Sequence, residues 1–225
     1  MNNFLELKNI SKNFDAEKKV RVLNKLSYKF KTGKVYSLMG PSGSGKSTLL
    51  NLISLIDRPT NGSIKFDDTQ VNFNENNKND IFRAKKIGIV YQQNNLLPDF
   101  TALENLYLAS LSINDDKKLA IIQAKKLLKK IGLSNRSDHF PSQLSGGELQ
   151  RIAIARAIIN DPDIILADEP TGSLDMKTAK DIFALLKNQK KPNRLIIFAT
   201  HNRFFAKKAD YLLELTNGSI KSTNG

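Results

Sequence analysis

Apolar positions in the first third of the chain come in short runs rather than helical stripes. Phe4, Leu5, Leu7 and Ile10 alternate in part with polar neighbours and predict a strand. Further short runs lie at 20–23 and 26–30, the latter stopping at the turn Thr32-Gly33-Lys34. Residues 35–39 predict a short buried strand that runs into a glycine-rich loop. From Ser47 the pattern turns helical through Ile56 and stops at Pro59-Thr60-Asn61-Gly62. Strands are predicted at 63–66 and 87–91, with the asparagine-rich tract 72–79 between them as a loop.

The middle changes period. Residues 101–111 and 115–131 carry apolar side chains at helical spacing, with Leu119, Ile122, Leu127 and Ile131 as the stripe of the second segment, which ends at Gly132. Another helix starts after Gly147. Strand and helix then alternate: strand 164–167, helix 177–188, strand 195–199, a short helix 204–207 and strand 211–215. Such alternation predicts a parallel sheet covered on both faces. The expected architecture is a single α/β unit over 1–225, with a core at 1–92 and 161–225 and a helical insertion at 93–160.

Composition narrows the chemistry. Of 225 residues, 40% are hydrophobic and 25% charged, a globular balance. Cysteine is absent, which excludes disulfides, a thiolate nucleophile and sulfur-bound zinc. His139 and His201 are the only histidines, too few for a histidine-rich metal cluster. The net charge of +13 suits nucleic acid or an anionic membrane surface. No Lys/Arg block is interleaved with aromatics, so no nucleic-acid partner is expected. No run reaches the roughly 18 apolar residues of a membrane span, and residues 1–7 lack the pattern of a secretory signal. The expectation is a protein that is cytosolic or held at a membrane by something else.

Gly40-Pro41-Ser42-Gly43-Ser44-Gly45-Lys46-Ser47, followed by Thr48, satisfies the phosphate-loop pattern between a strand and a helix. Its glycines let backbone amides converge on phosphate oxygens, and the helix start adds its positive end. Lys46 can reach the β- and γ-phosphates, and the Ser47 hydroxyl can ligate Mg²⁺. Ile164-Ile165-Leu166-Ala167-Asp168-Glu169 is an apolar strand ending in two carboxylates at the edge where α/β sheets bind ligands. Asp168 is assigned to Mg²⁺ opposite Ser47, and Glu169 to polarising the attacking water. Thr200-His201 follows another apolar strand whose end shares that edge. His201 is therefore assigned to the γ-phosphate, while His139 is read as structural.

Between these motifs lies Leu144-Ser145-Gly146-Gly147-Glu148-Leu149-Gln150-Arg151, which resembles the signature of ATP-binding cassette (ABC) ATPases. The resemblance covers essentially the whole chain. Gln92 matches the family's Q-loop, Ser173-Leu174-Asp175 its D-loop and His201 its switch histidine. Phe14 stands where the family places an aromatic against adenine, more often Tyr. The resemblance implies a phosphate-loop NTPase core with an N-terminal antiparallel β subdomain and an inserted helical subdomain. It implies ATP and Mg²⁺ as ligands, with Gln92 reaching the metal or water. It also implies a head-to-tail homodimer, in which Ser145, Gly146, Gly147 and Glu148 of one copy close over the γ-phosphate held by the other. Asp175 would then lie at the subunit interface.

The stretch Asn95–Asn105 is unusually apolar for a loop, which marks a protein contact. Within the family it is similar to ATP-binding subunits of lipoprotein-release systems, with macrolide-exporter and cell-division ATPases near by. That similarity implies integral inner-membrane permease partners and a peripheral position on the cytoplasmic face. A soluble, nucleic-acid-associated ABC ATPase is the alternative from another class. Such proteins usually carry tandem cassettes or a coiled-coil insertion, and 225 residues without a heptad run fit neither.

Overall fold

The computed structural model describes residues 3–14, 20–113 and 115–223. Met1 and Asn2, at the head of the stretch tested for a secretory signal, lie outside them. Two sheets organise the chain. The first is antiparallel, in the order β2-β1-β4-β5, from β1 (Asn3–Phe14), β2 (Val20–Lys31), β4 (Asn61–Phe66) and β5 (Thr69–Gln70).

The runs at 20–23 and 26–30 belong to one strand. Apolar residues in this hairpin slip out of alternation at Leu7/Ile10 and Leu23/Leu26, and the register slips at the same places. Asn9 (φ 51) and Lys25 (φ 46) take left-handed conformations there as bulges. Each bulge inserts one residue and returns the next apolar side chain to the buried face, so Leu7, Ile10, Leu23 and Leu26 are all buried.

The second sheet has the order β10-β9-β3-β8-β7-β6. Its members are β3 (Val35–Met39), β6 (Ile87–Val90), β7 (Ile164–Asp168), β8 (Leu195–Ala199), β9 (Tyr211–Thr216) and β10 (Ser219–Thr223). All neighbours are parallel except β10, which returns antiparallel beside β9. The connecting Asn217-Gly218 pair has positive φ at both residues, the geometry that asparagine-glycine favours in two-residue hairpins. That signal was available in the sequence, and β10 was not expected.

The helices are α1 (Lys46–Ile53), α2 (Asn76–Lys86), α3 (Ala102–Leu111), α4 (Lys117–Lys130), α5 (Gly146–Ile158), α6 (Met176–Lys187) and α7 (Arg203–Ala206). Both faces of β7 and β8 are buried. Ile164, Leu166 and Ile197 pack toward α1 and the antiparallel sheet. Ile165, Ala167 and Phe198 pack toward α5, α6 and α7 through Ile154, Ile182, Phe183 and Phe205. A third core joins α3, α4 and α5 through Leu106, Leu128 and Ile152.

Three expectations are corrected. The asparagine-rich tract leads into α2 rather than a loop through Lys86. No residue of α2 is buried, so no apolar stripe announces it. It is held by Arg83, which donates to the Leu55 carbonyl (3.1 Å), and by Phe82 against Phe66. α1 stops at Ile53, not Ile56. Leu55 (φ 60) occupies the left-handed position of a Schellman closure, its amide on Leu52 O and that of Ile56 on Asn51 O. Finally, the buried stripe of α4 is Ala120, Ala124 and Leu128, while Leu119 and Ile122 face outward.

Candidate functional site

The order β3-β8-β7 sets three carboxyl ends side by side. The phosphate loop follows β3, Thr200-His201 follows β8, and Asp168-Glu169 ends β7. They enclose a cavity of about 520 Å³ lined by Gly40, Pro41, Ser42, Gly43, Gly45, Lys46, Ser47, Thr48, Asp168, Glu169 and His201, with Gln92 from beyond β6 and Val22 from β2. This is the sheet edge where α/β folds place ligands.

Local geometry shows why the loop needs its glycines. A Cβ on Gly40 (φ 153) would sit 2.3 Å from the Leu215 carbonyl oxygen and 2.7 Å from Ser44 Oγ. Gly45 (φ 98) begins α1 in a left-handed conformation, and a Cβ there would meet Val22 at 2.8 Å. No side chain caps α1, so its first amides are left for something in the cavity. The helix starts of α3, α5, α6 and α7, by contrast, are capped by Thr101, Ser145, Asp175 and Asn202. Ser44 stands outside the cavity lining, and its buried Oγ has no hydrogen-bond partner among the described residues. Lys46 Nζ donates to the carbonyls of Gly40 (2.9 Å) and Pro41 (3.0 Å), which centres its charge over the loop. Uncapped amides and a central ammonium are the donor set a polyphosphate requires.

Across the cavity, Glu169 holds a strained backbone (φ 44) just after β7. Its amide donates to Ala199 O at 3.0 Å, and its carbonyl accepts from the Gly172 amide at 3.1 Å. The carboxylate is 11% exposed and lies 3.0 Å from Nδ1 of His201, whose ring is 71% exposed. No cluster of three His, Asp or Glu among the described residues could hold a metal by itself. Ser47 and Asp168 offer one hydroxyl and one carboxylate. That set suits Mg²⁺, which keeps waters and takes phosphate oxygens rather than a cage of side chains.

The signature residues form a second cluster outside this cavity. Ser145 caps α5 in a reciprocal capping box: Glu148 Oε2 accepts from the Ser145 amide (2.8 Å) and hydroxyl (2.9 Å). Arg136 Nε holds Glu148 Oε1 at 2.9 Å. The Ser145 amide first, and then the Arg136 guanidinium, pull the Glu148 pKa down to about 2. A Cβ on Gly147 would lie 2.6 Å from Thr178 Cγ2, whereas one on Gly146 would meet only Leu174, at 3.5 Å. Asp175 caps α6, accepting from the Thr178 hydroxyl (2.5 Å) and from the amides of Lys177 and Thr178. The Thr178 hydroxyl is also the main cause that lowers the Asp175 pKa. Signature and D-loop segments therefore lie together, apart from the phosphate loop of the same chain.

Phe14 is not among the cavity-lining residues. Its ring is 43% exposed, with Lys12 Nζ 5.0 Å from its centroid. His139 lies beside Arg136, Nε2 to NH1 at 3.3 Å. Two residues were missed in the sequence. Val22 lines the cavity from an ordinary-looking strand. Arg156, near the end of α5, donates to the carbonyls of Asn95 (2.6 Å) and Asn94 (2.7 Å). Both asparagines have left-handed φ (54 at Asn94 and 46 at Asn95), so Arg156 clamps an irregular loop two residues beyond Gln92. A lone arginine within the apolar run Ile152–Ile158 was the available signal.

The sequence profile of the ABC transporter family matches residues 23–172. A lipoprotein-releasing system ATP-binding protein LolD from Rickettsia bellii is 43% identical over 221 residues, covering 97% of this chain and 98% of that one. The protein of the same name from Wigglesworthia glossinidia brevipalpis is 44% identical over 230 residues and covers both chains fully. Among solved structures, a dimeric post-hydrolysis state of the ATP-binding cassette MJ0796, bound to ADP and Pi, superposes with a TM-score of 0.89. It is 36% identical and covers 98% of this chain and 99% of that one. With its motifs on the same fold and its length matched almost end to end, the chain belongs to the ABC transporter family, as an ATP-binding member.

Proposed function

We propose that this chain is the ATP-hydrolysing subunit of an ABC transporter that works as a head-to-tail pair and powers lipoprotein release from the inner membrane. The observation that carries this reading is the division of the anion-binding parts. Lys46, Ser47, Asp168, Glu169 and His201 converge on one cavity, while Ser145, Gly146 and Gly147 face elsewhere, beside Asp175. One copy holds half a site, and a second copy supplies the rest.

In this reading the loop from Gly40 to Thr48 binds the phosphates of ATP. Lys46 neutralises the β- and γ-oxygens, and Phe14 bears on the adenine from the end of β1. Ser47, Asp168 and Gln92 hold Mg²⁺, which offsets charge on the phosphates when bound. Glu169 takes a proton from the water that attacks the γ-phosphorus as the bond to the bridging oxygen breaks, leaving ADP and phosphate. His201 keeps the carboxylate aimed and contacts the γ-phosphate. The partner's signature, presented by the Ser145–Glu148 cap, closes over it, and Asp175 links the two sites. Residues 1–92 and 161–225 serve as the catalytic core and 93–160 as the helical subdomain facing the permease.

The lipoprotein cargo rests on the lipoprotein-releasing relatives that match over nearly the full chain. No helix among the described residues is long and apolar enough to cross a membrane, so the membrane pathway falls to integral partners, with this subunit peripheral on their cytoplasmic side. Affinity purification from membranes tests the assignment: integral inner-membrane proteins with large periplasmic portions should co-purify. Glu169→Gln should lower phosphate release about a thousandfold while keeping ATP bound in a dimer visible by size-exclusion chromatography. Full-rate turnover by an isolated single copy would overturn the shared-site reading.

A further inference from the structure

α4 carries a face that the ATP site does not use. Its buried side is Ala120, Ala124 and Leu128, of which Ala124 and Leu128 pack into the core shared with α3 and α5. At about 100° per residue, the opposite side gathers Lys118, Ile122, Lys125, Lys126 and Lys129, with Leu119 and Lys130 at its margin. All seven are exposed. Ile122 stands at the centre of this face at 63%, the most exposed large hydrophobic side chain among the described residues. α4 has no acidic residue. None of the five lysine side chains takes part in an ion pair or hydrogen bond among the described residues, whereas Lys12, Lys29, Lys78, Lys86, Lys190 and Lys191 are paired with carboxylates.

We propose that the outward face of α4 is a contact for an anionic bilayer surface. Lysines ringing aliphatic side chains on one helical face are the composition of an interfacial helix. The charges meet lipid headgroups, and the aliphatics enter the boundary beneath them. A nucleic-acid face would instead offer arginines for paired hydrogen bonds and aromatics for stacking, and this one has neither. A second copy of the chain is disfavoured because like charges would meet. The contact is independent of the permease reading, since it requires lipid alone.

The test uses the full chain, free of partner proteins, in flotation with vesicles of phosphatidylglycerol and phosphatidylcholine in equal parts, against phosphatidylcholine alone. Binding is expected only to the anionic vesicles and should weaken with salt. The variant Lys125→Glu/Lys126→Glu/Lys129→Glu should lower partitioning by at least about 100-fold, and Ile122→Ser by about tenfold. A control with the same change in net charge on other surfaces, Lys8→Glu/Lys187→Glu/Lys221→Glu, should lose little. ATPase activity unchanged in every variant verifies the fold. Equal losses in the control and the α4 variant, no binding to anionic vesicles, or Ile122→Ser binding vesicles like the parent while heparin competes fully would each overturn the proposal.

Discussion

α1 and α5 both begin at glycine-rich sequence, yet α1 starts with no side chain over its amides, whereas α5 starts under Ser145, braced by Glu148 and Arg136. The first helix start leaves its amides without a side-chain cap, facing the cavity. The second is satisfied within its own chain. An uncapped start that needs a ligand ties nucleotide binding to local stability. A self-capped start keeps its shape in the single copy and can wait for a partner's phosphate. In the proposed pair, the difference separates a site that recruits ATP from a surface that senses it.

Lys46→Ala attacks the first half and has the largest expected effect on binding. Losing a charge-assisted contact of about 1.5–3 kcal/mol should weaken ATP affinity by roughly 100-fold in equilibrium titration, with the melting temperature of the ligand-free protein nearly unchanged. An affinity within twofold of the parent would remove Lys46 from the phosphates.

Changes at the signature should leave affinity alone. A methyl on Gly146 fits beside Leu174, so Gly146→Ala should fold normally, bind ATP as the parent does, and lose turnover by more than tenfold through the partner's site. Gly147→Ala drives a methyl onto Thr178 Cγ2 and should cost about 1–3 kcal/mol in stability. Thr178→Ser deletes that methyl while keeping the hydroxyl that Asp175 holds, so the double variant should recover the melting temperature. Failure to recover it would mean that the two helix starts are not packed as described.

Arg156 sharpens the comparison, because α5 carries the signature at one end and the clamp on the Gln92 loop at the other. Arg156→Ala removes both donors to the asparagine carbonyls, so kcat should fall by several-fold to tenfold, with KM for ATP little changed. Loss confined to KM would argue against a positioning role.

The smallest effect is the pH dependence of the α5 cap. The Glu148 pKa falls from its ordinary 4.5 to about 2. Its stabilisation is therefore fully present above pH 4.5 and is lost as the pH drops toward 2. The stability gap between parent and Glu148→Gln, read from urea midpoints, should be constant near neutrality and close across that acid range. A gap unchanged at the acid end would show that the carboxylate is not what holds the cap.

Elements with their own short-range physics were legible from sequence alone. The phosphate loop and the apolar runs of β3, β7 and β8 depend on φ preferences and periodicity within about ten residues. α2 stayed hidden because none of its residues is fully buried, and the outward turn of Ile122 because three small or apolar neighbours, Ala120, Ala124 and Leu128, took the core instead. That Gly40, Asp168 and His201 face one cavity follows from the order β3-β8-β7, which joins segments more than a hundred residues apart. The grip of Arg156 on the Gln92 loop has the same origin. Chain pattern determines which residues are able to bind phosphate. Sheet order and helix packing decide which of them meet, because those contacts come from burying faces that no local window contains.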